Sequence, residues 1–155
     1  MNAETETSRK SSTPRPLPVV DGDNKAFWSA ARDGKLRMQK CTTCSHIRYP
    51  ISAVCPQCLS QAHDWCDLSG RGTVFSTIVF HQVYHQAFAG DVPYNVSLIQ
   101  LEEGPRMFSN VVGVPPASVK VGDSVEVVFE KLTEVVRLPR FRLTSPSARS
   151  EKEPA

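Results

Sequence analysis

Residues 41–58 read CTTCSHIRYPISAVCPQC: two Cys-x-x-Cys pairs ten residues apart, with Cys41, Cys44, Cys55 and Cys58 as the thiols. A Cys-x-x-Cys turn brings two sulfurs to one cation while backbone N–H groups support the thiolates, and two such knuckles joined by a short hairpin complete a tetrahedron. Four soft ligands with no open position describe a structural metal site, which neither activates water nor polarises a substrate, and the preferred ion is zinc. The segment has few large apolar side chains on which to fold. Zinc binding to peptides of this kind contributes roughly 10–16 kcal/mol in apparent terms at neutral pH, enough to order it outright. The metal therefore acts as a clip that fixes the flanking segments relative to each other.

Three other uses of the thiols stay open: a rubredoxin-like iron site, a redox pair and a disulfide. CPQC is similar to a rubredoxin knuckle, but Ser45 and Leu59 stand where glycines usually follow each pair. A thioredoxin-type pair needs a βαβ context, which the flanking sequence lacks. The N-terminus has no apolar signal-peptide core and no stretch is long enough to span a bilayer, so the expectation is a cytoplasmic protein, where thiols are kept reduced.

Upstream of the knuckles, Asp21 or Asp23 can cap a helix, Ala26, Phe27, Ala30 and Ala31 recur at helical spacing, and Gly34 suits a left-handed stop. The prediction is one short helix over about 24–33, too short to be stable alone in water. Phe27 and Trp28 must therefore pack, either on the chain's own core or in a partner's groove. Downstream, TVFSTIVF, YNVSLIQL, RMFSNVVGV, SVEVVFE and VVRLPRFRL are strand-like runs punctuated by EEGP, VPPAS and VGDS. Five such runs within residues 67–143 suit a small antiparallel barrel, with a five-stranded OB-fold preferred over an SH3-like barrel. The fold class expected is thus mainly β: a short N-terminal helix, a rubredoxin-like zinc ribbon, a five-stranded OB-fold barrel and flexible tails. The boundaries read as 1–18 tail, 19–37 helical segment, 38–66 ribbon, 67–143 barrel and 144–155 tail.

With 155 residues, 40% hydrophobic, the chain can bury one modest core and not two large ones. Its formal charge of +2 produces no global field that would imply nucleic acid or membrane. Locally, Lys25, Arg32, Lys35, Arg37, Lys40 and Arg48 face only Asp33 in their own window, a patch suited to phosphates, an acidic partner or plain solvation. The strand runs show few exposed-looking aromatics, which disfavours single-stranded nucleic acid. Catalytic equipment is missing: there is no G-x-S-x-G elbow, phosphate loop or G-x-G-x-x-G, and His81 and His85 flank a loop without the Glu of a zinc-protease helix. Cys66 reads as a small, partly buried side chain, and His46 and His63 as bystanders to a completed tetrahedron.

Taken together, FWSAARDGKLRMQKC, the cysteine segment, GRGTVFSTIVF, VPYNVSLIQLEEG, VKVGDSVEVVFE and LPRFRL resemble the zinc-ribbon plus OB-fold family that accompanies thiolase-like enzymes. The resemblance covers residues 18–143. It implies a non-catalytic subunit co-assembled with a thiolase-fold enzyme of acyl-CoA metabolism, for thiolytic or retro-aldol C–C cleavage or condensation, in a two-plus-two heterotetramer. It also implies CoA or acyl-CoA at or near the partner interface. Carried onto this sequence, Phe27 and Trp28 are the expected docking anchors, and Arg32, Lys35 and Arg37 the expected contacts to CoA phosphate or partner. A stand-alone OB-fold nucleic-acid binder and a rubredoxin-like electron carrier are the alternatives.

Overall fold

A computed structural model describes residues 13–144. The tails expected at 1–18 and 144–155 therefore lie mostly outside the described residues; Pro14 to Pro18 form no regular structure. Among the described residues no helix is long and apolar enough to cross a membrane.

Helix α1 (Lys25–Arg32) buries Phe27, Ala30 and Ala31 on one face. It ends as expected: Gly34 adopts φ 77°, its N–H donates to the Ala31 carbonyl, and the Lys35 N–H reaches back to Ala30. These bonds cap carbonyls of the last turn, that of Ala30 accepting from the Asp33 N–H as well. The start differs from expectation. Asn24 occupies the cap position without a side-chain cap, while Asp21 Oδ1 accepts from the N–H groups of Asp23 and Asn24, shaping the turn that enters the helix.

The chain then forms β1 (Leu36–Cys41), β2 (Ile47–Arg48) and β3 (His63–Leu68), an antiparallel sheet of order β2-β1-β3 that carries the cysteine knuckles at its far end. The second sheet runs β6-β5-β4-β7-β8, with β4 (Arg71–Phe80), β5 (Tyr94–Leu101), β6 (Arg106–Ser109), β7 (Ser124–Lys131) and β8 (Arg137–Leu143). It curls until its edges meet at a parallel bridge between Val111 and Phe141, making a five-stranded OB fold. Strict alternation in β5 points Asn95, Ser97, Ile99 and Leu101 inward. Gly72 allows the tight crossing of β4 over β5, since a Cβ there would lie 2.5 Å from the Gln100 carbonyl oxygen.

The run predicted over 106–114 pairs as a strand only to Ser109. Beyond it a side chain does the work of a strand: Asn95 Oδ1 accepts from the Val111 N–H at 2.8 Å, and its Nδ2 donates to the Val111 carbonyl at 2.7 Å. Asn110 Nδ2 donates in turn to the Asn95 carbonyl, and Ser97 Oγ to Asn95 Oδ1. Burying these polar groups is tolerable because each has a partner. The inward Asn and Ser of YNVSLIQL were the signal that this wall needed a polar staple.

One core unites the parts. Phe27 from α1 and Leu36 and Met38 from β1 pack in the same buried cluster as Val74, Ile99, Val125 and Phe141 of the barrel. The foot of the ribbon is thus part of the barrel's interior.

Candidate metal centre

The two knuckles repeat one backbone design. Ser45 N–H donates to the Cys41 carbonyl and Cys41 N–H to that of His46; Leu59 N–H donates to the Cys55 carbonyl and Cys55 N–H to that of Ser60. Ser45 and Leu59, placed where glycine was expected, adopt φ 64° and 62°. They take the left-handed turn despite their Cβ atoms, so the knuckle shape survives at the expense of local strain.

Sulfur placement follows from these turns. All four Sγ atoms lie within 4.8 Å of one another, with Cys41 and Cys58 at 3.5 Å and Cys44 and Cys55 at 3.6 Å. Four sulfurs about 2.3 Å from a tetrahedral zinc stand about 3.8 Å apart, so the donor set fits that ion. Backbone N–H groups aim at the thiolates in matching pairs: those of Cys44 and Thr43 at Cys41, and those of Gln57 and Cys58 at Cys55. The Cys44 N–H, above all, brings the Cys41 thiol down to about 6. Cys44 is pushed up to about 12: the His46 N–H favours its thiolate, but desolvation and the neighbouring sulfurs oppose it more strongly. Four thiolates this close cannot all ionise unaided, and a divalent cation is the group that allows it. His46 and His63 are outside the donor set.

Beside the knuckles lies a buried polar network that sequence reasoning missed. Gln39 Oε1 accepts from Arg48 Nε and from the Ser52 N–H, both at 2.9 Å. That orientation turns the Gln39 amide nitrogen to His63 Nε2 at 3.1 Å, while His63 Nδ1 stands 3.0 Å from the Gln61 carbonyl and 3.1 Å from Arg48 Nη2. The network ties β1 to the loop entering the second knuckle and to the segment leaving it. Arg48 is 2% exposed, has no carboxylate partner among the described residues, and leaves Nη1 without a hydrogen bond. It is a buried cation in the sheet that carries the four cysteines, which as thiolates on one divalent ion would hold net negative charge. A polar residue at 39 in the middle of LRMQKC was the visible sign.

The remaining predicted residues are dispersed. Phe27 is 4% exposed and belongs to the core, so it cannot be the docking anchor expected of it: the helix's apolar face is consumed by the chain's own barrel. Trp28 is half-buried, with its ring edge-on to Phe27. The basic patch is largely neutralised from a distance. Asp67 of β3 holds Arg37 in a two-pronged pair at 2.5 and 3.0 Å and approaches Lys35 at 3.6 Å, while Arg32 meets Asp33. The hydrogen bond from Arg37 holds the Asp67 carboxyl below the usual carboxylate range. Lys40 faces Asp64 across the same strand pair. Cys66 is half-buried and its thiol is raised by that burial.

A cavity of about 580 Å³ opens on the barrel between the start of β5, the segment after β6 and β8. Tyr94, Val96, Val112 and Leu138 line it, with the Glu130–Arg140 ion pair at its wall. Arg15 of the N-terminal segment lines it too, bound to Asp91 and set over the Phe88 ring.

Two family profiles match in tandem: "ChsH2, rubredoxin-like zinc ribbon domain" over residues 28–64 and "ChsH2, C-terminal OB-fold domain" over residues 65–130. A DUF35 domain-containing scaffold protein of Methanothermobacter thermautotrophicus is 34% identical across 61% of this chain and 71% of its own length. The chain belongs to the ChsH2/DUF35 family. Among ChsH2/DUF35 structures, a chain of an Ltp2-ChsH2(DUF35) aldolase superimposes with a TM-score of 0.72 at 35% identity, covering 82% of this chain and 98% of that one. A probable enoyl-CoA hydratase alpha subunit of Thermomonospora curvata is 34% identical over 94% of this chain, which spans 45% of that relative's length.

Proposed function

We propose that this chain is a non-catalytic subunit that docks on a thiolase-fold enzyme of acyl-CoA metabolism, in the cytoplasm, and helps to form its acyl-CoA site. The closed tetrathiolate cluster carries this reading. With four sulfurs drawn together by matched knuckles, the metal has no open position, so it braces the ribbon against the barrel and leaves the chemistry to the partner's own residues. Support comes from the scaffold naming of one relative and the aldolase complex in which another is found. Pre-ordering the docking surface lowers the entropic cost of assembly.

In this reading two copies join an enzyme dimer, and C–C cleavage or condensation of the acyl-CoA takes place on the partner. The cavity beside β8 is this chain's share of the acyl-CoA site, with the pantetheine or acyl portion against Tyr94, Val96 and Leu138. Trp28, Arg32 and Lys35 retain exposed surface and meet the partner or a CoA phosphate, while Arg37 serves mainly to hold Asp67. The test is Cys55→Ala in the co-expressed complex. Zinc, assembly and enzymatic activity are expected to be lost together; a metal-free variant that still assembles and turns over substrate overturns the mechanism.

A second reading has a specific observation behind it. Phe75 and Phe108 are 47% and 69% exposed on the barrel, more aromatic surface than the sequence promised, and an OB face with such residues can stack bases. Binding of single-stranded RNA that weakens steeply with salt would favour it. An electron carrier would declare itself by the visible colour of a bound iron.

A further inference from the structure

The outer face of the barrel sheet is divided by chemistry. On β7 and β8 it is charged and internally satisfied, with Arg140 paired to Glu130 and Arg142 to Glu126 across the strands. On β4, β5 and β6 it is apolar. Leu98 sits at its centre, opposite Phe108 on one side and Ser76 on the other, and Ile78 stands opposite Val96. A bulge between Val74 and Ser76 turns Phe75 outward, where the Arg106 guanidinium lies 3.7 Å from its ring centroid. Phe75, Ile78 and Phe108 are 47%, 56% and 69% exposed.

At on the order of 200 Å² per aromatic side chain, Phe75 and Phe108 leave on the order of 230 Å² of apolar surface open, and Ile78 adds to it. The half-buried Val96, Leu98 and Tyr94 extend the patch toward half of the roughly 800 Å² that a stable complex buries on each partner. Patches of this size mark interaction sites on soluble domains. Nucleic acid fits poorly, because a strand-binding groove needs a row of free cations, and the arginines of this face, Arg106 and Arg71, are held by Gln100 Oε1 at 2.7 Å and by Glu102 at 3.0 Å.

The geometry points to the β4–β5–β6 face as the surface on which the enzyme subunit docks, with Phe108, Ile78 and Phe75 as its anchors. This rests on the function proposed above and supplies the contact that Phe27, buried in the core, does not. The choice of occupant rests on continuity. Tyr94 and Val96 belong both to this face and to the wall of the 580 Å³ cavity, so a subunit seated here also closes the cavity beside it. A second copy of this chain on the same face would shut that hollow off from any enzyme.

The experiment is affinity capture of the tagged chain from its native host at two salt concentrations, with captured proteins identified by mass spectrometry. Phe108→Glu and Ile78→Glu are compared with Arg142→Ala on the charged half, each verified for one zinc per chain and an unchanged melting temperature. A thiolase-fold subunit captured by wild type and Arg142→Ala, but at least tenfold less by Phe108→Glu and Ile78→Glu, supports the proposal. Equal capture by all four proteins overturns the face while leaving the function standing. Absence of any thiolase-fold protein from the wild-type capture overturns the function, and the face with it. Salt-sensitive recovery of RNA, or a wild-type homodimer that Phe108→Glu dissociates, overturns the face in favour of another occupant.

Discussion

The tip of the ribbon and the barrel solve the problem of folding in opposite ways. Between Cys41 and Ser60 the buried residues are Cys41, Arg48 and Cys55: two metal ligands and a cation. Ile47, Tyr49 and Ile51 reach only the margin of the apolar cluster, so around the sulfurs order must come from metal coordination and from the Gln39 hydrogen bonds. In the barrel, β5 alternates strictly between inward and outward residues, and Val74, Ile99, Val125 and Phe141 converge on one cluster. Its order comes from area removed from water. A single strand, β1, belongs to both worlds: Leu36 and Met38 lie in the apolar cluster, while Cys41 ends among the sulfurs. That strand ties the cysteine cluster to the barrel interior.

Removal of zinc by a strong chelator should expose this division most sharply. Roughly 10 kcal/mol or more of apparent folding energy is withdrawn from the tip. Amides of residues 41–62 are then expected to lose hydrogen-exchange protection while those of β4 and β5 keep theirs. Simultaneous loss in both regions would show that the barrel also depends on the metal. Phe141→Ala attacks the other side. Phe141 has no exposed surface, and its truncation should cost about 3–5 kcal/mol by denaturant unfolding while zinc stoichiometry stays at one.

Smaller effects refine the picture. Leu59 is 76% exposed and held at φ 62°, so Leu59→Gly removes left-handed strain without removing packing. After allowance for the greater freedom of glycine in the unfolded chain, a gain of about 0.5–1 kcal/mol in ribbon stability is expected, read as slower metal release to a competing chelator. Asp67 is expected to have the smallest effect. The Arg37 hydrogen bond depresses its folded pKa, so its contribution is present above the ordinary carboxylate value of about 4 and fades as the pH falls through the depressed one. The difference in melting temperature between wild type and Asp67→Asn should therefore be largest at neutral pH and shrink in acid. A constant difference across the range would show that the carboxylate charge is irrelevant.

Local features were readable in advance. The four ligands follow from the spacing of two pairs, the helix from its period and Gly34, and β4, β5 and β7 from apolar runs ended by turn residues, because each depends on neighbours within a few positions. Other features require register between distant segments. Asp67 neutralises Arg37 and Lys35 from some thirty residues away, Asn95 pairs with Val111 in place of a strand, and Gln39, Arg48 and His63 meet only once three strands are aligned. The sorting of Phe27 into the core and Phe108 onto the surface belongs to the same class. An aromatic residue carries the same drive to leave water wherever it stands, and only the packing of helix, ribbon and barrel settles which side chains find cover and which stay exposed.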